Sequence, residues 1–465
     1  MTASPLHRAT PAPPVRIVHL GLGAFSRSHT AWYTHASPDA NEWGIAAYTG
    51  RSRDLSDRLT AQEGLYTLIE RDEEGDRPEV IGSITRAHAG DDMESLLQDL
   101  AAPQTAIVSL TITEVGYRLT PDDEPDGDDP MVVRDRDELR LVASDRLAVA
   151  DARPLTAPGR LLLGLEARRR AGGGPLAVLS CDNLPDNGGR LRRGLTAWAD
   201  GTAPDLCRWL QDNISFVSSS VDRITPRISP HDENALCATY ADRAPVVAEP
   251  FRDWVISGSF PAGRPAWEVA GARFVEDLEP WEARKLWLLN GAHTLLACFG
   301  LLRGHATVAD AIADPVCRSA VEELWDDAEA ALPSGVDVAA YRTALLARFA
   351  NPRIEHLLAQ IAQDTDTKVR LRIAPVAELA LADGGDPRGC AFALASWITA
   401  QTKGLIRGQG AVHTSTQSTA DFVARASAPL AANGGFVAQI DRLVSALADN
   451  ETETTVGNFW QSVVK

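Results

Sequence analysis

Residues 15–26, VRIVHLGLGAFS, constrain the fold more than any other stretch of the chain. An apolar run from Val15 to Leu20 stops at Gly21-Leu22-Gly23-Ala24-Phe25-Ser26, and a segment of helical character follows. That order of strand, glycine turn and helix is the context in which an open parallel sheet receives a dinucleotide. Gly21 would permit the tight turn. Gly23 would let the backbone approach a pyrophosphate, with helix N–H groups and the helix dipole supplying the anion site. The third fingerprint glycine is replaced by Ser26. The turn therefore offers Gly21, Gly23 and Phe25 as cofactor-binding candidates, and NAD as the expected cofactor.

An acid about 20 residues on would bind the adenosine ribose of NAD. Here the second strand, 43–48, runs into YTGRSRD, where Asp54 comes late. Arg51 and Arg53 stand where a 2′-phosphate could be accommodated, so Arg51 joins the cofactor-binding candidates and NADP stays open.

Further along, 65–84 reads as a hairpin around an acidic, glycine-containing turn, and 105–113, TAIVSLTIT, as a strand buried on both faces. PDDEPDGDDP, 121–130, reads as a solvated acidic loop without calcium-loop spacing. Residues 160–188 give helix, glycine break, strand and a polar loop at Cys181–Gly188. Alternating strand and helix over the first 200 residues predicts a doubly wound α/β domain. Beyond about residue 280 helical patterns dominate.

A chain of 465 residues exceeds one ordinary core, so two domains are expected. The boundary reading is 1–278 for a dinucleotide-binding domain, with 1–14 a disordered leader, and 279–465 for a mainly helical substrate domain. A net charge of −18 repels phosphate backbones and acidic membranes, so no nucleic-acid partner is expected. No run of roughly 18 consecutive apolar residues appears, so no membrane span is expected either. The six cysteines lie far apart without a CxxC pair and read as reduced thiols of a cytoplasmic protein. Neither HExxH nor a Cys/His cluster is present, so metal-independent chemistry is expected. The assembly expected is a monomer or a weak homo-oligomer.

The second informative stretch is KLWLLNGAHTLLACFG, 285–300, an apolar helix that carries Lys285, Asn290 and His293. At 100° per residue these three fall within an arc of roughly 140°. They would face a cleft while the leucines face the core. Oxidising a secondary alcohol needs a base for the hydroxyl proton while hydride leaves for a nicotinamide. A lysine serves if burial and a nearby positive ring lower its pKa from about 10.4 toward about 7 to 8. Asn290 and a second amide such as Asn183 would form an oxyanion pocket. His293 would hydrogen-bond substrate hydroxyls.

This helix resembles the signature of the zinc-independent, long-chain polyol dehydrogenases, the family of mannitol 2-dehydrogenase and fructuronate reductase. The likeness extends through IVHLGLGAFSRSHTAWYT, VSLTITEVGY, VLSCDNLPDNG, VDRITP, EPFRDWVI and GRPAWE, in the family's order. It implies a Rossmann-like N-terminal domain and a mainly α-helical C-terminal domain. It further implies that Lys285 is the general acid/base and that Asn183 and Asn290 are the amides on the reacting oxygen. His293 matches a substrate-binding histidine, Asp222 an acid beside the nicotinamide, and Glu282 a proton carrier. Lys368 matches a substrate-contacting lysine. The family's FHRAH is FSRSH here, its acidic pair after the second strand is replaced by Gly50–Arg53, and its KLPQR-like run is KVRLR, which keeps Lys368 and Arg372.

The expected activity is NAD(P)-dependent interconversion of a sugar alcohol and its ketose, with mannitol and fructose the first pair to test. The rival within the family is a hexuronate reductase, whose carboxylate substrate would want Arg372 or Lys368. From other classes come a non-catalytic nucleotide-binding regulator, which would have no reason to hold Lys285, Asn290 and Asn183, and an epimerase.

Overall fold

The computed structural model describes residues 6–50, 52–354, 356–406 and 417–448. The chain forms two compact units, Met1–Leu278 and Glu279–Lys465. The first is a Rossmann-like α/β unit and the second is mostly helical.

The strands of the first unit are β1 (Val15–Leu20), β2 (Gly44–Tyr48), β3 (Tyr66–Asp72), β4 (Gly75–Ile81), β5 (Ile84–His88), β6 (Ile107–Leu110), β7 (Leu176–Ser180), β8 (Ile214–Asp222), β9 (Val246–Ala248), β10 (Asp253–Ser257) and β11 (Arg273–Phe274). The main sheet runs β11-β10-β8-β7-β6-β1-β2-β5. Its six strands from β5 to β8 are all parallel, and β10 is antiparallel to β8. Strand order reverses at β1, with β2 on one side and β6 on the other.

Helices cover both faces, so the central strands carry apolar side chains on both sides, with His19 in β1 and Ser109 in β6 as buried polar exceptions. The two-residue period then sorts their side chains. Val18, Leu20, Val108 and Val178 enter one core with Leu100, Leu162 and Trp198. Ile17, Ile107, Ala177 and Leu179 enter the other with Trp32, Tyr33, Trp254 and Trp267. His19 lies on the Ile17 side, where burial lowers its pKa to about 4; Ser109 Oγ stands 2.9 Å from one ring nitrogen and Thr111 Oγ1 3.0 Å from the other.

Three sequence expectations need correction. Strand β6 ends at Leu110, not Thr113, because Ile112 N–H donates to the Asp182 carboxylate (2.6 Å). The acidic loop is anchored: buried Asp123 takes Arg190 (2.7 Å) and Arg193 (2.9 Å), and Asp129 caps helix Pro130–Ala143 through Met131 N–H. The leader is held in its second half, where Arg8 donates to the carbonyls of Glu63 (2.8 Å), Gly82 (2.8 Å) and Ile84 (2.7 Å). The hairpin of β3 and β4 forms, and β9 joins it in a separate three-stranded sheet.

The second unit is built around two helices buried on nearly every side, Gly291–Leu302 and Arg388–Thr402. Helix Pro315–Ala331 packs against both. The 24-residue helical stretch Glu279–Leu302 is long and apolar enough, by length and composition, to cross a membrane. Two thirds of its most apolar window is buried in the protein (67 %), as expected of a core helix.

Candidate active site

The glycine turn sits where the strand order reverses. Gly21 and Leu22 N–H both donate to Tyr48 O at the end of β2 (3.0 and 2.9 Å), and Thr111 Oγ1 beyond β6 donates to Gly21 O (2.9 Å). Gly21 has φ +108°, and a Cβ there would stand 2.1 Å from Thr111 O, so only glycine fits. Gly23 differs. A Cβ on it would meet nothing nearer than Gly21 O at 3.6 Å. The protein's own packing does not demand this glycine, and the open space beside it is the room an approaching pyrophosphate needs. The turn therefore fits a dinucleotide.

Ser26, at the third fingerprint position, is buried; its hydroxyl accepts from Gly23 N–H (3.0 Å) and donates to Gly23 O (3.3 Å). Arg27 bonds Gly23 O (3.1 Å) and Ala244 O, fastening the turn to the segment before β9. Phe25 stacks on His29 at 4.9 Å. The helix after the turn breaks at His29, into Ala24–Ser28 and Thr30–Ala36. The dipole expected of a full helix thus shrinks to about one turn, which leaves backbone N–H groups as the main anion donors. Arg51 lies outside the described residues.

Two more predicted residues lie at the carboxyl edge of the same parallel sheet, the edge where such sheets bind ligands. Asn183 is exposed, three residues past β7. Its loop is tied down by neighbours the sequence reading missed. The buried Asp182 carboxylate accepts from Ile112 N–H (2.6 Å), Ser180 Oγ (2.9 Å) and Tyr117 Oη. Burial pushes its pKa up to about 7 against those bonds. Asn187 closes the loop from the other end, donating to Asp182 O (2.9 Å) and Ser219 O (2.7 Å). The polar run CDNLPDN after a buried strand was the available signal. Asp222, buried, ends β8 opposite Asp253. Beside it Arg223 donates to Glu249 O (3.0 Å), Ser28 O and Glu70 (2.6 Å), joining the glycine-turn helices to the end of β8.

In the second unit, the segment predicted as regular helix is not regular. Lys285–Asn290 is π-helical, between the α-helical Glu279–Arg284 and Gly291–Leu302. Its i→i+5 bonding brings residues five apart nearer one another around the axis. In an α-helix Lys285 and Asn290 would diverge by about 140°. The wider π turn narrows that angle without closing it, and His293 follows one α turn later.

Side chains add donors to the carbonyls of this turn. Trp325 Nε1 donates to Leu288 O (2.8 Å), while Thr294 Oγ1 (2.9 Å) and Arg372 Nη1 (3.3 Å) donate to Asn290 O. The Asn290 carboxamide itself has no hydrogen-bond partner among the described residues. Buried His293 lies 4.8 Å from the rings of Phe349 and His356. Trp325→Phe keeps an aromatic ring but removes the indole donor, leaving Leu288 O to the Gly291 N–H. We expect it to lose about 0.5–1.5 kcal/mol of stability, checked by urea unfolding.

Arg372 stands beside this turn and also bonds Thr294 Oγ1 (3.1 Å). Burial alone lowers its pKa to about 10. No carboxylate pairs it among the described residues. Lys368 is placed otherwise: its amine donates to Ile361 O (2.8 Å) and Gln363 O (2.5 Å). Burial and then the Arg372 charge lower its pKa. The structure thus gathers Lys285, Asn290, His293 and Arg372 around one helical stretch and commits most of Lys368 to the backbone. Lys285 and Glu282 are both half-buried, with Glu282 one turn earlier. One other cluster, His305, Asp314 and Cys317, has metal-like spacing, but Arg303 (2.5 Å) and His305 (2.9 Å) already share one Asp314 oxygen.

The model of the mannitol dehydrogenase Rossmann domain matches residues 15–269, and that of the mannitol dehydrogenase C-terminal domain matches 277–429. The chain is 36 % identical over 420 residues to D-mannonate oxidoreductase of Escherichia coli, covering 88 % of this chain and 84 % of that one. It is 38 % identical over 403 residues to D-arabinitol 4-dehydrogenase of Ralstonia nicotianae, covering 83 % and 82 %. The solved Pseudomonas fluorescens mannitol 2-dehydrogenase in ternary complex with NAD and D-mannitol superposes with a TM-score of 0.75 at 31 % identity, over 97 % of this chain and 95 % of that one. With both models matched along most of its length, the chain belongs to the mannitol dehydrogenase family.

Proposed function

We propose that this NAD(P)-dependent oxidoreductase interconverts the secondary alcohol of a sugar acid with its keto form, of the mannonate/fructuronate type, with Lys285 as general acid/base. The observation that carries the choice of a sugar acid is Arg372, a desolvated guanidinium with no carboxylate partner among the described residues, bonded to the carbonyl of Asn290. A cation left without its counter-ion in partial burial is costly unless a ligand supplies one. A substrate carboxylate does, through charge-assisted bonds from the guanidinium nitrogens that are not engaged.

In this reading residues 1–278 bind the dinucleotide and residues 279–465 the sugar. When bound, the nicotinamide supplies the hydride acceptor or donor. The chain's own groups manage the proton and the oxygen. In oxidation, the neutral Lys285 amine takes the hydroxyl proton; in reduction, the ammonium returns it. Asn290, its carboxamide unengaged, and Asn183, on its anchored loop, donate to the oxygen as charge develops. His293 orients the sugar hydroxyls, Glu282 relays the proton outward, and Asp222 serves the nicotinamide side. Lys368 retains one ammonium hydrogen beyond its two backbone bonds, enough for a single contact to substrate.

The polyol reading, mannitol with fructose, has support of its own in the likeness to the mannitol-bound relative. A substrate panel separates the two. kcat/KM for fructuronate and mannonate should exceed that for fructose and mannitol; the reverse order discards the sugar-acid reading. Arg372→Met should lower kcat/KM for the acid by about 30-fold or more, the lower end of the cost of breaking a desolvated charge pair. It should leave turnover of any neutral polyol far less changed. All six cysteines are free thiols and four are buried, which suits a reducing compartment such as the cytoplasm.

A further inference from the structure

The end of β2 is the wall of the glycine turn, since Tyr48 O receives both Gly21 and Leu22 N–H. In a sheet of this strand order, the residue that reads the adenosine ribose stands there. An acid at that place bonds the 2′-hydroxyl of NAD and repels the 2′-phosphate of NADP.

This chain has no acid there. Thr49 is buried, with its hydroxyl accepting from Gly90 N–H (3.1 Å). Gly50 is exposed, and among the described residues, its chain neighbours aside, a Cβ added to it would meet nothing within 4 Å. Cations border that place. Arg160, half-buried at the start of helix Ala157–Arg170, places Nη1 3.3 Å from Gly50 O and Nε 3.4 Å from Pro154 O. It forms no ion pair among the described residues. Asp135, one of the two acids that act on it, is spent on Leu155 N–H (2.9 Å) and on the N–H and hydroxyl of Thr156 (2.8 and 2.6 Å). The other, Asp91, is exposed to water, which screens it. Arg53, three residues past Gly50, is exposed, and among the described residues its side chain is held only by Asp57 at 3.8 Å. The remaining acids nearby have partners: Asp54 pairs with Arg58 (3.1 Å) and Asp92 with His88 (2.9 Å).

We propose that the edge at Gly50, bordered by Arg160 and Arg53, receives the 2′-phosphate of an adenine dinucleotide, so that the enzyme binds NADP(H) more tightly than NAD(H). The inference rests on the dinucleotide reading of the glycine turn and adds which dinucleotide. Arg160 carries most of the discrimination, because its guanidinium is partly desolvated and fixed by two carbonyls.

Titration calorimetry on the intact protein tests this without turnover. The probes are NADPH, NADH, and the fragments 2′,5′-ADP and 5′-AMP, which differ only in the 2′-phosphate. NADPH should bind at least about tenfold more tightly than NADH, and 2′,5′-ADP should outbind 5′-AMP, with an advantage that falls as salt rises. Arg160→Ala should remove about tenfold or more of NADPH affinity while changing NADH affinity little, and Arg160→Lys should restore part of it. Arg53→Ala should do the same more weakly. NADH binding as tightly as NADPH overturns the proposal and leaves the dinucleotide reading standing. Equal losses for both dinucleotides in Arg160→Ala, unrestored by lysine, would make Arg160 a scaffold residue and also overturn it. If neither dinucleotide binds, the reading of the turn itself fails.

Discussion

Lys285→Ala is expected to lower kcat by about 10²–10⁴-fold, the usual worth of a positioned acid or base, with dinucleotide affinity almost unchanged. The affinity should survive because the groups fitted to the dinucleotide, Gly21, Gly23 and the ends of β1 and β2, belong to the other unit of the chain. The variant should also fold. Lys285 is half-buried at the head of a π turn whose carbonyls also take bonds from Trp325, Thr294 and Arg372, none of which depends on the lysine amine. The pH dependence carries the sign of the mechanism. In the oxidation direction the amine must be neutral, so the parent rate climbs as pH rises through the lysine pKa, and in reduction it falls over the same range. The alanine variant should lose that limb in both directions, leaving a slow rate supported by water. Steady-state kinetics from pH 6 to 10, alongside calorimetry with the dinucleotide, read both quantities. Parent-like turnover, or a retained limb, would remove Lys285 from the proton transfer.

The parts of the fold legible beforehand were those that one local rule decides. Val15–Leu20 reads as a doubly covered strand because Ile17 puts an apolar side chain on one face and Val18 and Leu20 on the other, and Gly21 had to turn because no other residue tolerates its φ beside Thr111 O. The helical character of the second unit followed from composition and period in the same way. What was not legible depended on partners far along the chain. Strand β6 stops early: Thr111 N–H makes the last bond to β1, and Asp182, 70 residues past Ile112, takes the N–H of Ile112. Asp123 is drawn from an acidic loop into burial by two arginines from helix Asn187–Ala199. Arg8 gives order to a proline-rich leader through carbonyls of the β3–β5 region. At the site, residue identity was legible and register was not. Period counting assumes an α-helix, whereas Lys285–Asn290 takes the wider turn, whose Leu288 O receives the indole of Trp325, 37 residues beyond it, as well as Gly291 N–H. The contrast between Arg372 and Lys368 was equally hidden, since only coordinates tell a cation spent on backbone carbonyls from one with bonds to spare.

Asn290→Ala should cost about 2.7–4 kcal/mol in the barrier, or 10²–10³ in kcat, while KM shifts by no more than a few-fold. The split follows from what the amide has to do. An amide N–H aimed at a carbonyl or hydroxyl gains little in the ground state and much once that oxygen carries charge, so its loss appears in kcat. Two features of the structure argue that Asn290 is kept for this and not for packing. Its carboxamide takes no partner among the described residues although the residue is half-buried, and its backbone carbonyl is fixed independently by Thr294 and Arg372. Truncation should therefore leave the π turn in place, with circular dichroism and the unfolding midpoint close to the parent's. Asn290→Asp is the sharper variant: it preserves size and replaces the donor with an anion, which repels developing negative charge, so it should fall below the alanine variant in kcat. If alanine and aspartate instead raise KM alone, the amide orients the substrate without sharing its charge. The narrower angle that the π turn sets between Lys285 and Asn290 would then serve to place a base and a positioning residue on the same side of the helix.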